Sequence, residues 1–206
     1  MEKIDFSMLG KIADITDIPS VGAYNIRKNG LGVERKSTEN IEIVNKTDKP
    51  GIDIYIKAGT KNESVHIPVV ISKSGIDETV YNDFYIGEDS DVLIIAGCGI
   101  HNTGDSESSH DGIHSFHVGK NARIRYVEKH YGVGDGLGTN VMNPTTIIEI
   151  DEGGTLEMET TQIKGIDSTI RDTTAKLKEG ATLIVKEKII DNSSFIEILD
   201  KYDDIL

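Results

Sequence analysis

The chain holds one cysteine, no tryptophan and four prolines in 206 residues, and its aromatic residues make up only 5%. A lone cysteine excludes an intramolecular disulfide framework and fits a reducing compartment. No stretch approaches the roughly 18 consecutive apolar residues of a membrane span. The opening MEKIDF lacks the basic-then-apolar pattern of a secretion signal. Positive charge is also short: 22 Lys and Arg face 35 Asp and Glu, so 22 − 35 leaves −13. Such a surface repels nucleic acid and anionic membrane, and a docking partner is expected to be basic. What is present, 37% apolar and 28% charged residues, is an ordinary globular composition. A single cytoplasmic domain with one core is expected.

Helical periodicity occurs only at the two ends. Ile4, Met8, Leu9, Ile12 and Ile15 predict a short N-terminal helix, and Phe195, Ile198, Leu199, Tyr202 and Ile205 a C-terminal one. Ser194 and Glu197 have the spacing of a capping box for the latter. Between them, apolar and polar residues alternate in short bursts, which is strand periodicity.

The bursts repeat as strand, turn, strand. Turns begin at Gly87, Gly119, Asp151 and Lys178, with a weaker copy, IEIVNKTDKPGIDIYIKAG, from Ile41. Alignment gives the columns Phe84/Phe116/Ile148/Ala175 and Ile86/Val118/Ile150/Leu177 before the turn. After it come Val92/Ile124/Leu156/Leu183 and Ile94/Tyr126/Met158/Val185. Columns two residues apart form one face of a strand. Stacked copies would make a continuous core, so the expected fold is all-β, a right-handed parallel β-helix with short terminal helices. A Greek-key sandwich is the alternative. The expected division is residues 1–30 as a helical or extended lead-in, 31–192 as the β-helix core and 193–206 as a C-terminal helix or tail.

The same face continues into polar columns, Ala96/Glu128/Thr160/Glu187 and then Cys98/His130/Gln162/Ile189. Neighbouring rungs lie about 5 Å apart, so Cys98 would stand beside His130, with Glu128 one step along. Thiol, imidazole and carboxylate together could lower the thiol pKa and bind a soft or borderline metal. Cys98 and His101 form C-x-x-H in GCGIHN, and five of the six histidines fall between positions 101 and 130. His110 and His114 are further candidate ligands, with Gln162 in the Cys98 column. Blander readings stand beside these: Cys98 as a small buried hydrophobe, His114 as a hydrogen-bonded core histidine, His117 on the surface, and His66 as an ordinary strand residue. The acidic GEDSD and DKYDD read as solvated turn and tail, and YGVGDGLGTN as an inter-rung loop without the Lys-Ser/Thr of a P-loop.

The stretch IIAGCGIHNTGDSESSHDGIHSFHVGKNARIRYVEKHYGVGDG, followed by NPTTIIEIDEGGTLEMETTQIKGIDSTIRDTTAKL, resembles the SufB/SufD core domain. Within that family it resembles most the short SufB-like proteins of minimal SUF systems, and its own IPSVGAYNIRKNG is similar to their start. The resemblance implies a right-handed parallel β-helix and a cytosolic scaffold for iron–sulfur clusters without turnover of its own. Its partners would be a SufC-like ABC ATPase and a second copy or SufB/SufD-like paralogue. It places Cys98, His101, Glu128, His130 and Gln162 at motif positions, around a transiently held cluster. The resemblance also implies further rungs and a helical segment contacting SufC, whereas the last residues before Leu206 read as a helix. Two other classes compete: a metal-binding β-solenoid or cupin-like enzyme on a small or carbohydrate substrate, and a purely structural subunit completing a partner's β-helix. Against the enzyme, the cupin H-x-H is missing and aromatic platforms are scarce.

Overall fold

The computed structural model describes residues 6–190 with their side chains and the backbone of residues 195–204. The elements, in chain order, are α1 (Phe6–Ala13), β1 (Ala23–Lys28), β2 (Leu31–Lys36), β3 (Ile41–Asn45), β4 (Gly51–Ile56), β5 (Lys61–Ile71), β6 (Asp77–Ile86) and β7 (Asp91–His101). They continue as β8 (Ser108–Val118), β9 (Arg123–Val133), β10 (Asn140–Met142), β11 (Thr145–Ile150), β12 (Thr155–Lys164), β13 (Ser168–Leu177), β14 (Thr182–Ile189) and β15 (Phe195–Asp204).

The strands stack as a parallel β-solenoid. One sheet runs β2, β1, β5, β7, β9, β12, β14; the other runs β3, β4, β6, β8, β11, β13. Each aligned column is a ladder contact: Phe84 pairs Phe116, which pairs Ile148, which pairs Ala175. In the other sheet Ile94, Tyr126, Met158 and Val185 pair in the same way. Parallel pairing excludes the Greek-key alternative.

The turns explain the regularity. Gly59, Asp89, Asn121, Gly153 and Gly180 occupy equivalent positions and all have φ between 54° and 71°. Only Gly, Asn and Asp tolerate that left-handed region cheaply. Turns then stack by backbone bonds such as Asp89 N–H to Lys120 C=O at 2.9 Å.

Two expectations are corrected. The copy starting at Ile41 is not a rung but an antiparallel hairpin, β3 against β4. The true turn of that rung begins one strand later, at Lys57, because β4 is the strand that joins the ladder beside β6. The predicted C-terminal helix is also a strand: β15 pairs in parallel with β13 from Ser168↔Phe195 to Leu177↔Asp204. The open edge of β13 offers a row of unpaired backbone groups, and a Phe, Ile and Tyr-rich segment takes it up. Ile4, Ser194 and Ile205 of the predicted helices lie outside the described residues.

The interior is layered. Near the turns a fully apolar core contains Phe84, Phe116, Tyr126, Ile94, Ile124 and Leu156; Phe84 and Phe116 stack at 4.6 Å. At the far side of the cross-section lies a smaller apolar cluster, Val69, Ile71, Cys98, Ile100, Met142 and Ile166. Buried polar residues lie inward on the strands between them. Outside, α1 buries Met8, Leu9, Ile12 and Ala13. It rests on β7, where Gly97 and Gly99 leave room for Ile12 and Met8. No helix among the described residues is long and apolar enough to cross a membrane.

Candidate functional site

Strand parity builds the polar layer. β9 sends Tyr126, Glu128 and His130 inward, β7 sends Cys98, and β12 sends Thr160 and Gln162. From the opposite sheet come Glu78 and Asn82 on β6, His110 and His114 on β8, and Thr169, Arg171 and Thr173 on β13. Cys98 pairs His130, and His130 pairs Gln162, as the aligned columns predict.

Glu128 is the hub. Its Oε1 accepts from Tyr126 Oη at 3.0 Å and lies 3.4 Å from His130 Nε2 and 3.8 Å from His114 Nε2. Its Oε2 lies 3.8 Å from Arg171 Nη1. Arg171 Nη2 is 3.0 Å from His130 Nδ1. A guanidinium can only donate, so His130 Nδ1 accepts and its proton sits on Nε2, facing Glu128. Burial favours the neutral acid, yet His130, His114 and Arg171 together hold the Glu128 carboxyl well below the usual carboxylate range. Burial keeps both histidines uncharged, pushing His114 down to about 4 and His130 down as well.

A second buried ion pair lies on the β6 side. Arg27 Nη2 and Nε donate to Glu78 Oε1 at 2.6 and 3.0 Å, and His110 Nδ1 is 3.7 Å from Glu78 Oε2. Five residues of the layer, Glu78, Asn82, His110, His114 and Gln162, carry buried polar atoms without a hydrogen-bond partner. Such atoms carry a desolvation penalty, and ordered waters or ions normally relieve it.

The thiol behaves otherwise than its neighbours suggest. Burial pushes the Cys98 thiol well above its ordinary value, and the Glu78 and Glu128 carboxylates push it further. The expected acidification is therefore reversed: burial of the thiol leads, the neighbouring carboxylates add to it, and His114 and His130 are held uncharged.

The structure brings together Cys98, Glu128, His130, His114, His110 and Gln162 in one interior. It does not bring His101 there. C-x-x-H on a helix would face one way, but on a strand an odd spacing sends the two side chains to opposite faces. His101 accordingly leaves β7 half-buried on the outer side, paired with Val133. His117 is on the surface, stacked on Tyr85 at 5.0 Å and 3.2 Å from Glu149. His66 is a half-buried strand residue near Ser64. Residue reading missed Glu78, Arg171 and the polar role of Tyr126. Parity carried the signal: Glu78 lies six residues before inward Phe84, and Arg171 four before inward Ala175.

The donor types suit iron, but their arrangement does not match a formed metal centre. Among the described residues no three His, Cys, Asp or Glu side chains are grouped as around a metal ion. Cys98 packs with apolar neighbours, and Arg171 takes up His130 Nδ1.

No family model matches the chain, and no solved structure does. A curated protein of Methanocaldococcus jannaschii, named as an iron–sulfur cluster assembly SufBD family protein, is 30% identical over 113 residues. The match covers 54% of this chain and 34% of that protein, so the chain spans about a third of the relative's length.

Proposed function

We propose that this chain, with its likeness to a SufBD family protein, is a component of iron–sulfur cluster assembly. It serves as a scaffold or accessory subunit with no turnover of its own. The carrying observation is the 30% identity over 113 residues to that relative, joined to a β-solenoid interior in which the Cys98 thiol and His130 imidazole are in register and the Glu128 carboxylate lies two residues along the same strand as His130. The nascent cluster is cargo, held through Cys98 with His130 and Glu128 nearby. His110, His114 and Gln162 are additional donors within the same interior. Thiolate anchors a cluster strongly, while imidazole and carboxylate exchange more readily, which suits a protein that must release what it holds.

In this reading energy comes from a SufC-like ABC ATPase, and the pairing subunit is a second copy or a SufB/SufD-like paralogue, in the cytoplasm. Because the donors face inward, loading requires the interior to open. The test is anaerobic incubation with ferrous iron and sulfide, followed by desalting and iron and sulfide analysis. Wild type should retain both and Cys98→Ala should retain little. Equal retention in the two proteins would remove Cys98 from the site. Co-purification with the SufC-like ATPase of the same organism tests the partnership separately.

A further inference from the structure

Arg171 is the cation of the Glu128 hub, and its guanidinium meets an imidazole nitrogen and two carboxylates at once. Its guanidinium faces three donors: His130 Nδ1 at 3.0 Å from Nη2, and Glu128 Oε2 and Glu187 Oε2 at 3.8 and 3.6 Å from Nη1. One imidazole nitrogen with two carboxylate oxygens is a donor set that first-row divalent ions take readily. Thr146, Thr160 and Thr173, together with apolar Pro144, Met158 and Val185, line the small cavity beside it, about 10 Å³ and room for roughly one water.

Position and charge explain why no metal centre is formed. Arg171 projects from β13 across to β9, which carries Glu128 and His130, and to β14, which carries Glu187. The donors are therefore spread around a planar group wider than a metal ion. The guanidinium occupies the place as a cation that a divalent ion would have to displace. With it in place, His130 is engaged at Nδ1 by Arg171 and at Nε2 by Glu128, and both oxygens of Glu128 face donors.

We infer that Arg171 is a resident counter-cation that competes with divalent metal for His130, Glu128 and Glu187, so the interior takes up a metal ion there only when the guanidinium moves away. The inference stands on this geometry and is independent of the assembly role, since it needs neither sulfide nor Cys98. It makes Arg171 a positioning residue: it sets which donors an incoming metal meets.

The experiment is titration of the 206-residue chain with Co²⁺, read by the intense ligand-field absorption of tetrahedral or five-coordinate Co²⁺, which the octahedral aqueous ion shows only weakly. Arg171→Gln should bind one Co²⁺ at least tenfold tighter than wild type. Adding His130→Ala to Arg171→Gln should return affinity to the wild-type level, and Arg171→Lys, which keeps a cation, should stay there. The inference is overturned if Arg171→Gln binds no tighter, if the added His130→Ala changes nothing, or if Arg171→Lys binds as tightly as Arg171→Gln. Should Arg171→Gln fail to fold alone, it is refolded with and without Co²⁺ and followed by circular dichroism. Recovery of β-structure only with Co²⁺ supports competition, and no recovery with Co²⁺ overturns it. Loss of Cys98-dependent iron and sulfide retention would sink the assembly role while leaving this result untouched.

Discussion

Two glycines flank Cys98, and the structure assigns them unequal costs. A Cβ at Gly97 would lie closer than 3 Å to the Ile12 carbonyl oxygen, 2.8 Å from the Ile12 carbonyl carbon and 2.9 Å from its Cβ. These are backbone or near-backbone atoms of α1, so the helix itself must move. At Gly99 the new Cβ would meet Met8 Sδ at 2.5 Å and Cγ at 2.6 Å, and then only Ile12 Cδ1 at 3.5 Å. Met8 is the flexible end of an unbranched side chain and can turn aside. Moving α1 endangers the burial of Met8, Leu9, Ile12 and Ile15, each worth roughly 1.5–3 kcal/mol when complete. An eight-residue helix has no stability of its own to fall back on. Overpacking alone costs about 1–3 kcal/mol, and partial loss of the docked face adds to it. Gly97→Ala should therefore cost about 2–4 kcal/mol and Gly99→Ala about 1 kcal/mol or less. Urea unfolding gives the stabilities, and limited trypsin digestion reports α1 directly, since Lys11 should become cleavable in Gly97→Ala only. Equal costs for the two substitutions, or an undisturbed Lys11 in Gly97→Ala, would refute this seating of the helix.

Three further outcomes follow from the interior. Cys98 is 3% exposed with its thiol held protonated by burial, so a thiol reagent should modify native protein far more slowly than urea-unfolded protein; comparable rates would contradict the burial. Phe116 stacks on Phe84 and meets Tyr126 edge-on at 5.1 Å, so Phe116→Ala should cost about 3–5 kcal/mol in urea unfolding. The third concerns acid. His114 is held neutral, down to about 4 from 6.5, so the unfolded chain binds a proton there that the folded chain refuses. Stability is lost as pH falls from about 6.5 towards 4, by about 2 kcal/mol between pH 7.5 and 5. His114→Gln should lose about that much of the pH dependence seen in wild type, and an unchanged slope would contradict it.

The ladder was legible because its chemistry repeats. Repeated turn starts and inward apolar residues at spacing two placed every column in register, polar ones included, and the structure adds the left-handed Gly, Asn or Asp that makes each turn alike. What escaped reading depended on contacts distant in sequence. The C-terminal segment has a helical pattern of apolar residues, but the free edge of β13 makes it a strand. The Ile41 hairpin has the apolar alternation of a rung, and only its antiparallel pairing distinguishes it. Arg171 and Glu78 sit at inward parity, yet a charged residue at such a position reads as exposed until its partner across the solenoid is known. The sign of the Cys98 shift is likewise set first by burial of the thiol itself, which only the fold reveals, and then by the Glu78 and Glu128 carboxylates. C-x-x-H joined Cys98 to His101 only if the strand ended and the chain turned at Gly97 and Gly99; β7 instead runs on through His101 and separates the two side chains.

In the proposed role the interior column around Cys98 carries iron–sulfur cargo, and anaerobic reconstitution of wild type and Cys98→Ala, with iron and sulfide measured after desalting, puts that role to the test. Wild type should retain iron and sulfide in matching amounts while Cys98→Ala, folded by circular dichroism, retains little. Equal retention by both, or none by wild type even with the SufC-like ATPase and ATP present, would contradict it.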